Sequence, residues 1–370
     1  MAIKSIGFPR MHKEESERRD FLPEIFKKIQ EYKDTEICLE NGYGEAMGFK
    51  EEDYLKAHPK IKFQQHQEVY KKDMVIVLRA PIEEEIRLMK KGSVLFSMLH
   101  YETRELRNQL LRELGIKGIS MDGLVDDKNK RMLVNFRGTS RSGVRIAIEE
   151  LKKKMPDFYG GKRKPICASL IGFGDVGIYA AKALGEFSNI EFSNEKRKAS
   201  GIITKVLPSS VTKDMGVMEK ILEKTDILVD ASRRKDASQI IVPNKLVGKL
   251  PEHAVILDLS ADPYNDKIKP MQVKGIEGIP TGTLDKYIIH PDDKLYDTIP
   301  KTINTENRRL VISCNAWPGV DPIECMKIYG EQIYDFLSVL LEKEIGSLKV
   351  NSKNLYERAL VRATLDYFYR

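Results

Sequence analysis

The sequence predicts an α/β protein of two domains, one of which is a doubly wound parallel sheet. Three observations favour this fold class. Apolar, strand-like segments alternate with amphipathic, helix-like segments along most of the chain. A glycine-rich turn joins one strand to one helix near the middle of the sequence, in residues 165–184. The 370 residues are enough for two domains that each bury a core.

The segment before the glycine-rich turn predicts an N-terminal α/β domain. A short strand from Ile3 leads into the charged loop KEESERRD and then into a helix that Pro23 opens at its first turn. Further strands are predicted in EICLE, DMVIVLR, GSVLFSML and IKGIS, and helical segments separate most of them. This alternation indicates a first parallel sheet.

Ionisable side chains fall at the ends of three of these strands. Arg79 ends one strand, His100 follows the next, and Asp122 lies near the end of the one after that. Each residue alone has a plain structural explanation, as an ion-pair partner, a hydrogen-bonded histidine and a helix cap. In parallel sheets, however, ligands bind beyond the carboxyl ends of the strands. Three ionisable groups at one sheet edge therefore indicate a ligand-binding or catalytic site at that edge.

The glycine-rich turn, within PICASLIGFGDVGIYAAKAL, has the spacing that the phosphates of a dinucleotide require. Gly172 makes the turn, Gly174 lets a pyrophosphate approach the backbone, and Gly177 lets helix and strand pack closely. Asp175 and Val176 fall in the first turn of the helix, where free N–H groups and the positive end of the helix dipole face an anion. A Rossmann-type domain that binds NAD or NADP is predicted.

The rest of the chain completes the second domain and then returns to the first. Residues 138–155 predict a connecting helix capped by Ser140 or Thr139. Strands are predicted in IITKVL, TDILVD, AVILDLS and RLVISCN, and their ends place these candidates at the cofactor crevice: Ser209, Ala231, Ser232, Asp262 and Asn315. A last helix, in YERALVRATLDYF, is expected to pack on the first domain. The predicted domains are residues 1–138 with 325–370, and residues 139–324.

The choice between NAD and NADP depends on the end of the strand in residues 202–207. An acid there would hold the ribose hydroxyls of NAD, whereas this strand ends at Pro208-Ser209-Ser210, and a nearby Lys213 would tolerate a 2′-phosphate. Glu191 or Glu195 would supply the acid if the strand lay elsewhere. Both cofactors stay open.

Composition argues against several other classes of protein. The net charge of +7 comes from 62 basic and 55 acidic residues spread along the chain, so nucleic-acid binding is not predicted. No apolar run reaches the length of about 18 residues that a membrane span needs, and no signal-peptide pattern is found. The four cysteines lack the spacing of metal ligands or redox pairs. No metal site is predicted, and a reducing cytoplasm is the expected setting.

Several motifs, in the same order along nearly the full length, resemble the alanine dehydrogenase and pyridine nucleotide transhydrogenase family, whose relatives include saccharopine dehydrogenase and carboxyethyl-ornithine synthase. The loop KEESERRDFLP places the family's substrate-binding arginine on Arg18, and GSVLFSMLHYET places its catalytic histidine on His100. LDLSADP places a second active-site acid on Asp262, and NAWPGVDP is similar to the loop beside the nicotinamide. Arg79 stands where the family has an active-site lysine.

The resemblance implies NAD(P)-dependent chemistry at the α-carbon of an amino acid. Arg18 and Arg79 would clamp the carboxylate of a small 2-oxo acid, His100 would carry the proton, and Asp262 would orient ammonia or an amine. Arg79 is a departure from the family, because arginine cannot exchange a proton at neutral pH. The family also implies a homo-oligomer assembled through the nucleotide domain.

Three functions remain open from the sequence. The first is an ammonia-using, alanine dehydrogenase-like enzyme. The second is an opine-type reductase that joins a 2-oxo acid to lysine or ornithine, with Asp122 or Asp321 helping to bind the larger co-substrate. The third is a nucleotide-binding sensor that keeps the fold without catalysis.

Overall fold

The computed structural model describes residues 3–193, 199–260 and 262–370. The strands in these residues are β1 (Ser5–Phe8), β2 (Glu36–Glu40), β3 (Lys62–Gln64), β4 (Met74–Arg79), β5 (Val94–Met98), β6 (Lys117–Ser120), β7 (Ile166–Ile171), β8 (Ile202–Leu207), β9 (Ile227–Asp230), β10 (Val255–Asp258), β11 (Ile288–Ile289) and β12 (Leu310–Ser313). The α-helices are α1 (Pro23–Ile29), α2 (Glu51–Ala57), α3 (His66–Tyr70), α4 (Glu83–Ile86), α5 (Glu105–Glu113), α6 (Phe136–Lys154), α7 (Asp175–Phe192), α8 (Ser209–Thr212), α9 (Met215–Leu222), α10 (Asn244–Val247), α11 (Pro322–Glu342), α12 (Leu355–Arg362) and α13 (Leu365–Phe368). The α/β prediction is confirmed.

The chain forms two compact units. Unit 1 consists of Met1–Asn135 and Asp321–Arg370, and unit 2 of Phe136–Val320. The predicted boundaries, residues 138 and 324, lie a few residues later in the chain, because α6 already begins at Phe136 and α11 at Pro322. None of the helices in the described ranges is long and apolar enough to cross a membrane.

Unit 1 is built on a six-stranded parallel sheet of order β3-β2-β1-β4-β5-β6. Its edge strand β3 has three residues, too few for an alternating pattern to reveal it in the sequence. The end of the chain packs on the opposite edge, where the backbone N–H of Ser120 donates to the carbonyl of Ala363 at 2.8 Å. The expectation of one final helix is wrong. α12 ends at Arg362, and Thr364 is the N-cap of a separate helix α13, where its side chain accepts a hydrogen bond from the N–H of Tyr367.

Unit 2 is built on a sheet of order β11-β12-β10-β9-β7-β8, in which only the β11–β12 pairing is antiparallel. Successive residues of β9 face opposite sides: Ile227 and Val229 join one buried cluster with α6 and α7, and Leu228 joins another with α9 and α10. Both faces are thus covered by helices, which is the doubly wound arrangement. Because the chain turns from β8 back across β7 to β9, the two halves of the sheet meet beside β7.

The predicted caps of the connecting helix are wrong. The helix begins at Phe136, so Ser140 lies inside it and is fully buried. There the Ser140 hydroxyl donates to the carbonyl oxygen of Val176 at 2.8 Å, and this bond ties α6 to the first turn of α7.

Candidate functional site

The unit 1 sheet brings its strand-end candidates to a single edge. Arg79 is the last residue of β4, His100 follows β5, and Asp122 follows β6. Arg18 lies in the loop after β1, with an exposed side chain. Because all these strands are parallel and neighbours in the sheet, their carboxyl ends share one edge.

His100 and Asp122 form a pair that the sequence did not reveal. His100 Nδ1 lies 3.1 Å from Asp122 Oδ2, and the backbone N–H of His100 donates to Asp122 Oδ1 at 3.2 Å. Burial raises the pKa of Asp122, but the hydrogen bond and charge of His100 outweigh burial and lower it to about 2. Asp122 is therefore ionised at neutral pH, and the ring of His100 is half exposed.

The backbone of His100 is also unusual. Its φ of +49° places a non-glycine residue in the left-handed region, a conformation that persists when surrounding contacts hold it. Asp122 provides such contacts to both the backbone and the ring. The carboxylate therefore orients this histidine, and the Nδ1 contact leaves Nε2 as the nitrogen directed away from Asp122.

Arg79 is bound to carboxylates of the chain itself. Its Nη1 donates to Glu14 Oε1 at 2.7 Å and to Glu17 Oε2 at 3.3 Å. Glu17 is fully buried and also accepts two bonds from the buried Arg19, at 2.8 and 2.7 Å. Burial raises the pKa of Glu17, but the bonds and charge of Arg19, with the charge of Arg79, lower it overall. In this arrangement Arg79 anchors the charged loop, whereas the family resemblance predicts that it clamps a substrate carboxylate.

Further basic side chains that the sequence reading missed lie near Arg79. Partial desolvation lowers the pKa of Lys13, and the positive charges of Arg79, Arg107 and Arg104 act in the same direction. Arg107 Nη1 donates to the carbonyl of Leu99, the residue before His100, at 3.0 Å. A group of like positive charges is suited to an anion. The signal in the sequence was the three-residue spacing of Arg104 and Arg107 at the start of α5, which puts them on one helix face.

In unit 2 the glycine-rich turn has the geometry that its sequence predicts. Gly172 has φ +88°, and a Cβ there would lie 2.6 Å from the carbonyl oxygen of Ala231. A Cβ on Gly177 would lie 2.3 Å from the carbonyl oxygen of Gly172, so this glycine permits close packing. Gly174, the N-cap of α7, has no atom within 4 Å of such a Cβ. The open space above Gly174, at the start of an 18-residue helix, fits a phosphate group.

The other cofactor candidates lie at the same edge of the unit 2 sheet. Ser209 begins α8 just after β8, and Asn315 follows β12. Ala231 and Ser232 follow β9, and the N–H of Ala231 donates to the carbonyl of Ile171 at the end of β7. The parallel strands thus gather these residues around the glycine-rich turn.

No acid ends β8 in the described structure. The strand finishes at Leu207, and the first acid after it, Asp214, accepts a bond from Val217 N–H as the cap of α9. Glu191 lies in α7, so it is not a strand-end acid, and that alternative is wrong. Glu195, the other alternative, lies outside the described residues.

Asp262 belongs to unit 2 and is paired. Its Oδ2 accepts a bond from Arg234 Nη2 at 2.7 Å; the arginine side chain is buried and also donates to the carbonyl of Val273. Asp262 itself remains partly exposed. Arg234 was not singled out in the sequence, where RRK following a strand resembles an ordinary basic loop.

A buried charged network lies at the ends of β9, β10 and β12. Lys274 Nζ donates to Asp258 Oδ2 at 2.7 Å, and Ser313 Oγ donates to the same oxygen at 2.9 Å. Burial raises the pKa of Asp258, but Lys274 outweighs it and the pKa is lowered. Burial and the charge of Asp258 raise the pKa of the neighbouring Asp230 to about 6. Lys274 is remote from these strands in sequence, so no local pattern pointed to it.

Comparisons with known proteins agree with this architecture. Residues 7–141 match a family model described as alanine dehydrogenase/PNT, N-terminal domain. The chain is 23% identical over 376 residues to the NAD(P) transhydrogenase subunit alpha of Haemophilus influenzae, covering 96% of this chain and 70% of that protein. It is 26% identical over 274 residues to the alanine dehydrogenase of Staphylococcus saprophyticus, covering 70% of this chain and 72% of that protein.

Solved structures share the fold. An L-alanine dehydrogenase structure aligns with a TM-score of 0.70 at 18% identity, covering 97% of this chain and 94% of that one. A transhydrogenase from Sinorhizobium meliloti aligns with a TM-score of 0.63 at 12% identity, covering 91% of this chain and 94% of that one. At these identities the similarity establishes the arrangement of strands and helices.

Proposed function

Because this chain belongs to the alanine dehydrogenase and pyridine nucleotide transhydrogenase family, we propose that it is an NAD(P)-dependent amino-acid dehydrogenase. The reaction is the reversible reductive amination of a small 2-oxo acid. A 2-oxo acid, ammonium, a proton and the reduced dinucleotide give an amino acid, water and the oxidised dinucleotide. The observation that supports this most is the oriented His100–Asp122 pair at a strand edge rich in basic side chains.

His100 would move the proton. Asp122 accepts a hydrogen bond from Nδ1 of His100, so Nε2 is the atom that donates a proton to the hydroxyl of the carbinolamine as water leaves. The ionised Asp122 carboxylate stabilises the imidazolium that exists before this transfer. In the direction of amino-acid oxidation, the same nitrogen accepts the proton from the attacking water.

The basic side chains of unit 1 would bind the carboxylate of the 2-oxo acid. Arg18 is exposed on the charged loop, and Lys13 experiences the positive charges of three arginines. An anion relieves this like-charge repulsion, which gives binding energy without any change in the fold. Arg79 would act through Glu14 and Glu17 by holding the loop that carries Arg18 and Lys13.

Unit 2 would hold the dinucleotide. The turn from Gly172 to Gly177 and the first turn of α7 provide backbone N–H groups for the pyrophosphate, and Ser209, Ala231, Ser232 and Asn315 line the same sheet edge. When bound, the reduced dinucleotide supplies the hydride for the imine carbon. Asp262, held by Arg234, would orient the ammonia or amine. The absence of an acid at the end of β8 favours NADP over NAD.

A second candidate function is the opine-type reductase, in which an amino acid supplies the amine. The observation that supports it is the mixed charge of the unit 1 edge, where the acid Asp122 follows β6 at the same edge as the basic side chains. A zwitterionic co-substrate such as lysine or ornithine requires both signs of charge. The first candidate needs only a carboxylate-binding group and ammonia.

The test is oxidation of NADPH and NADH with pyruvate or 2-oxoglutarate, combined in turn with ammonium, lysine and ornithine. Turnover with ammonium supports the dehydrogenase, and turnover only with lysine or ornithine supports the reductase. The variant His100→Gln is expected to lose about 10² to 10⁴-fold in kcat. The matched control is His290→Gln, which changes an exposed histidine of unit 2. Dinucleotide binding without turnover across the panel would contradict both enzyme functions.

A further inference from the structure

Two histidines and a glutamate converge at the β3–β2–β1 side of the unit 1 sheet, and we propose that they bind one zinc-type divalent cation. Glu40 is the last residue of β2, His12 lies in the loop after β1, and His66 begins α3 after β3. His12 Nε2 lies 2.8 Å from Glu40 Oε1, and His66 Nδ1 lies 3.0 Å from Glu40 Oε2. The proposal is independent of the dehydrogenase function.

The three side chains meet at a common point. One ligand atom from each of His12, Glu40 and His66 lies within 4.8 Å of the other two. In a tetrahedral zinc site with bonds of about 2.0–2.2 Å, the ligand atoms are about 3.3 Å apart. His12 Nε2 and His66 Nδ1 each lie close to this distance from one of the two Glu40 oxygens, His12 from Oε1 and His66 from Oε2, so small side-chain rotations would open the space for an ion.

Neighbouring groups orient the proposed ligand side chains, as the second layer of residues around a bound metal does. His66 Nε2, the ring nitrogen opposite the proposed ligand atom, lies 3.5 Å from Glu85 Oε1. Glu85 is in turn held by the backbone N–H of Ile82 at 2.8 Å. Glu40 is largely buried and accepts the backbone N–H of Arg10 at 2.8 Å. A carboxylate on the second nitrogen of a histidine is the usual partner of a metal-bound imidazole.

The donor set selects the class of metal. Two imidazole nitrogens and one carboxylate oxygen suit zinc and similar transition metals, whereas calcium and magnesium prefer oxygen ligands. Three protein ligands leave a fourth tetrahedral position for water. Since His12 precedes Glu14 and Glu17 in the charged loop, a bound ion would tie this loop to β2 and α3.

The experiment is a titration of the full, tag-free chain with Co²⁺ after treatment with a chelator. We expect one equivalent to give the visible absorption bands of tetrahedral cobalt, and one equivalent of Zn²⁺ to abolish them. His12→Asn and His66→Asn should each weaken Co²⁺ binding at least about tenfold. His12 is about half exposed, so this substitution is compatible with folding, which a cooperative thermal transition verifies.

The matched control is His253→Asn. His253 Nε2 lies 2.7 Å from Asp226 Oδ1, the same kind of pair, and no convergent group of metal ligands is found at this pair in the described ranges. Its Co²⁺ affinity should equal that of the wild type. The proposal is overturned if the wild-type chain gives no saturable tetrahedral bands, or if folded His12→Asn binds Co²⁺ as tightly as the wild type.

Discussion

Replacing Asp122 by asparagine removes the negative charge beside His100 while keeping the size of the side chain. The pKa of Asp122 is about 2, against an ordinary value of about 3.9, and this difference corresponds to roughly 2 to 3 kcal/mol. Because burial raises the pKa, the interactions of Asp122 with His100 and its other partners contribute at least this much free energy in favour of the ionised carboxylate. If proton transfer through His100 depends on this interaction, kcat should fall by roughly 30- to 150-fold.

The assay is the initial rate of NADPH oxidation at neutral pH with saturating oxo acid and amine. The loss should appear in kcat, with an unchanged KM for the dinucleotide, because Asp122 lies in unit 1 and acts through His100. The control is Asp366→Asn, which removes an exposed carboxylate of α13 in the same unit. A folded Asp122→Asn variant that keeps more than half of the wild-type kcat would refute the proposed role of the pair.

The same pair makes a prediction about stability. Folding lowers the pKa of Asp122, so its contribution is complete above the unfolded pKa of about 3.9 and is lost as the pH falls toward about 2. The wild-type free energy of unfolding should therefore decrease by roughly 2 kcal/mol more than that of Asp122→Asn between pH 4.5 and pH 2. Urea unfolding at several pH values measures this difference, and parallel pH dependences for the two proteins would contradict it.

Three further predictions concern unit 2. Gly172→Ala should lower the free energy of unfolding, measured in urea, by at least about 2 kcal/mol, because residue 172 has a positive φ and no room for a Cβ. Gly174→Ala should keep the wild-type stability but weaken NADPH binding at least about tenfold in a fluorescence titration. Equal stability and equal NADPH affinity of the two variants would contradict the assigned roles. Lys213→Ala should raise the KM for NADPH more than that for NADH; no change in this ratio would exclude a contact with the 2′-phosphate. Since burial raises the pKa of Asp230 to about 6, the wild type should lose up to about 3 kcal/mol of stability as the pH rises from 4 to above 6, and Asp230→Asn should flatten this dependence in urea unfolding.

The sequence was sufficient for features that depend on neighbouring residues. The strand, turn and helix around Gly172 follow from local periodicity and from the backbone freedom of glycine, and the structure shows the same turn with φ +88°. Arg79, His100 and Asp122 could be assigned to strand ends because apolar runs stop at them. Short elements were harder to predict: β3 has three residues, and the break between α12 and α13 spans only Ala363 and Thr364.

The tertiary structure alone decided which side chains meet. Parallel strands joined by long crossovers place residues that are far apart in sequence at neighbouring positions, and nothing local encodes the sheet order β3-β2-β1-β4-β5-β6. That order brings His100 to Asp122 and Arg79 to Glu14. It also brings Glu40 to His12 and His66, a cluster that three isolated segments of the sequence gave no reason to join. Residue types at strand ends are thus readable from local pattern, whereas their pairing follows from strand order and register, which the packing of the whole sheet determines.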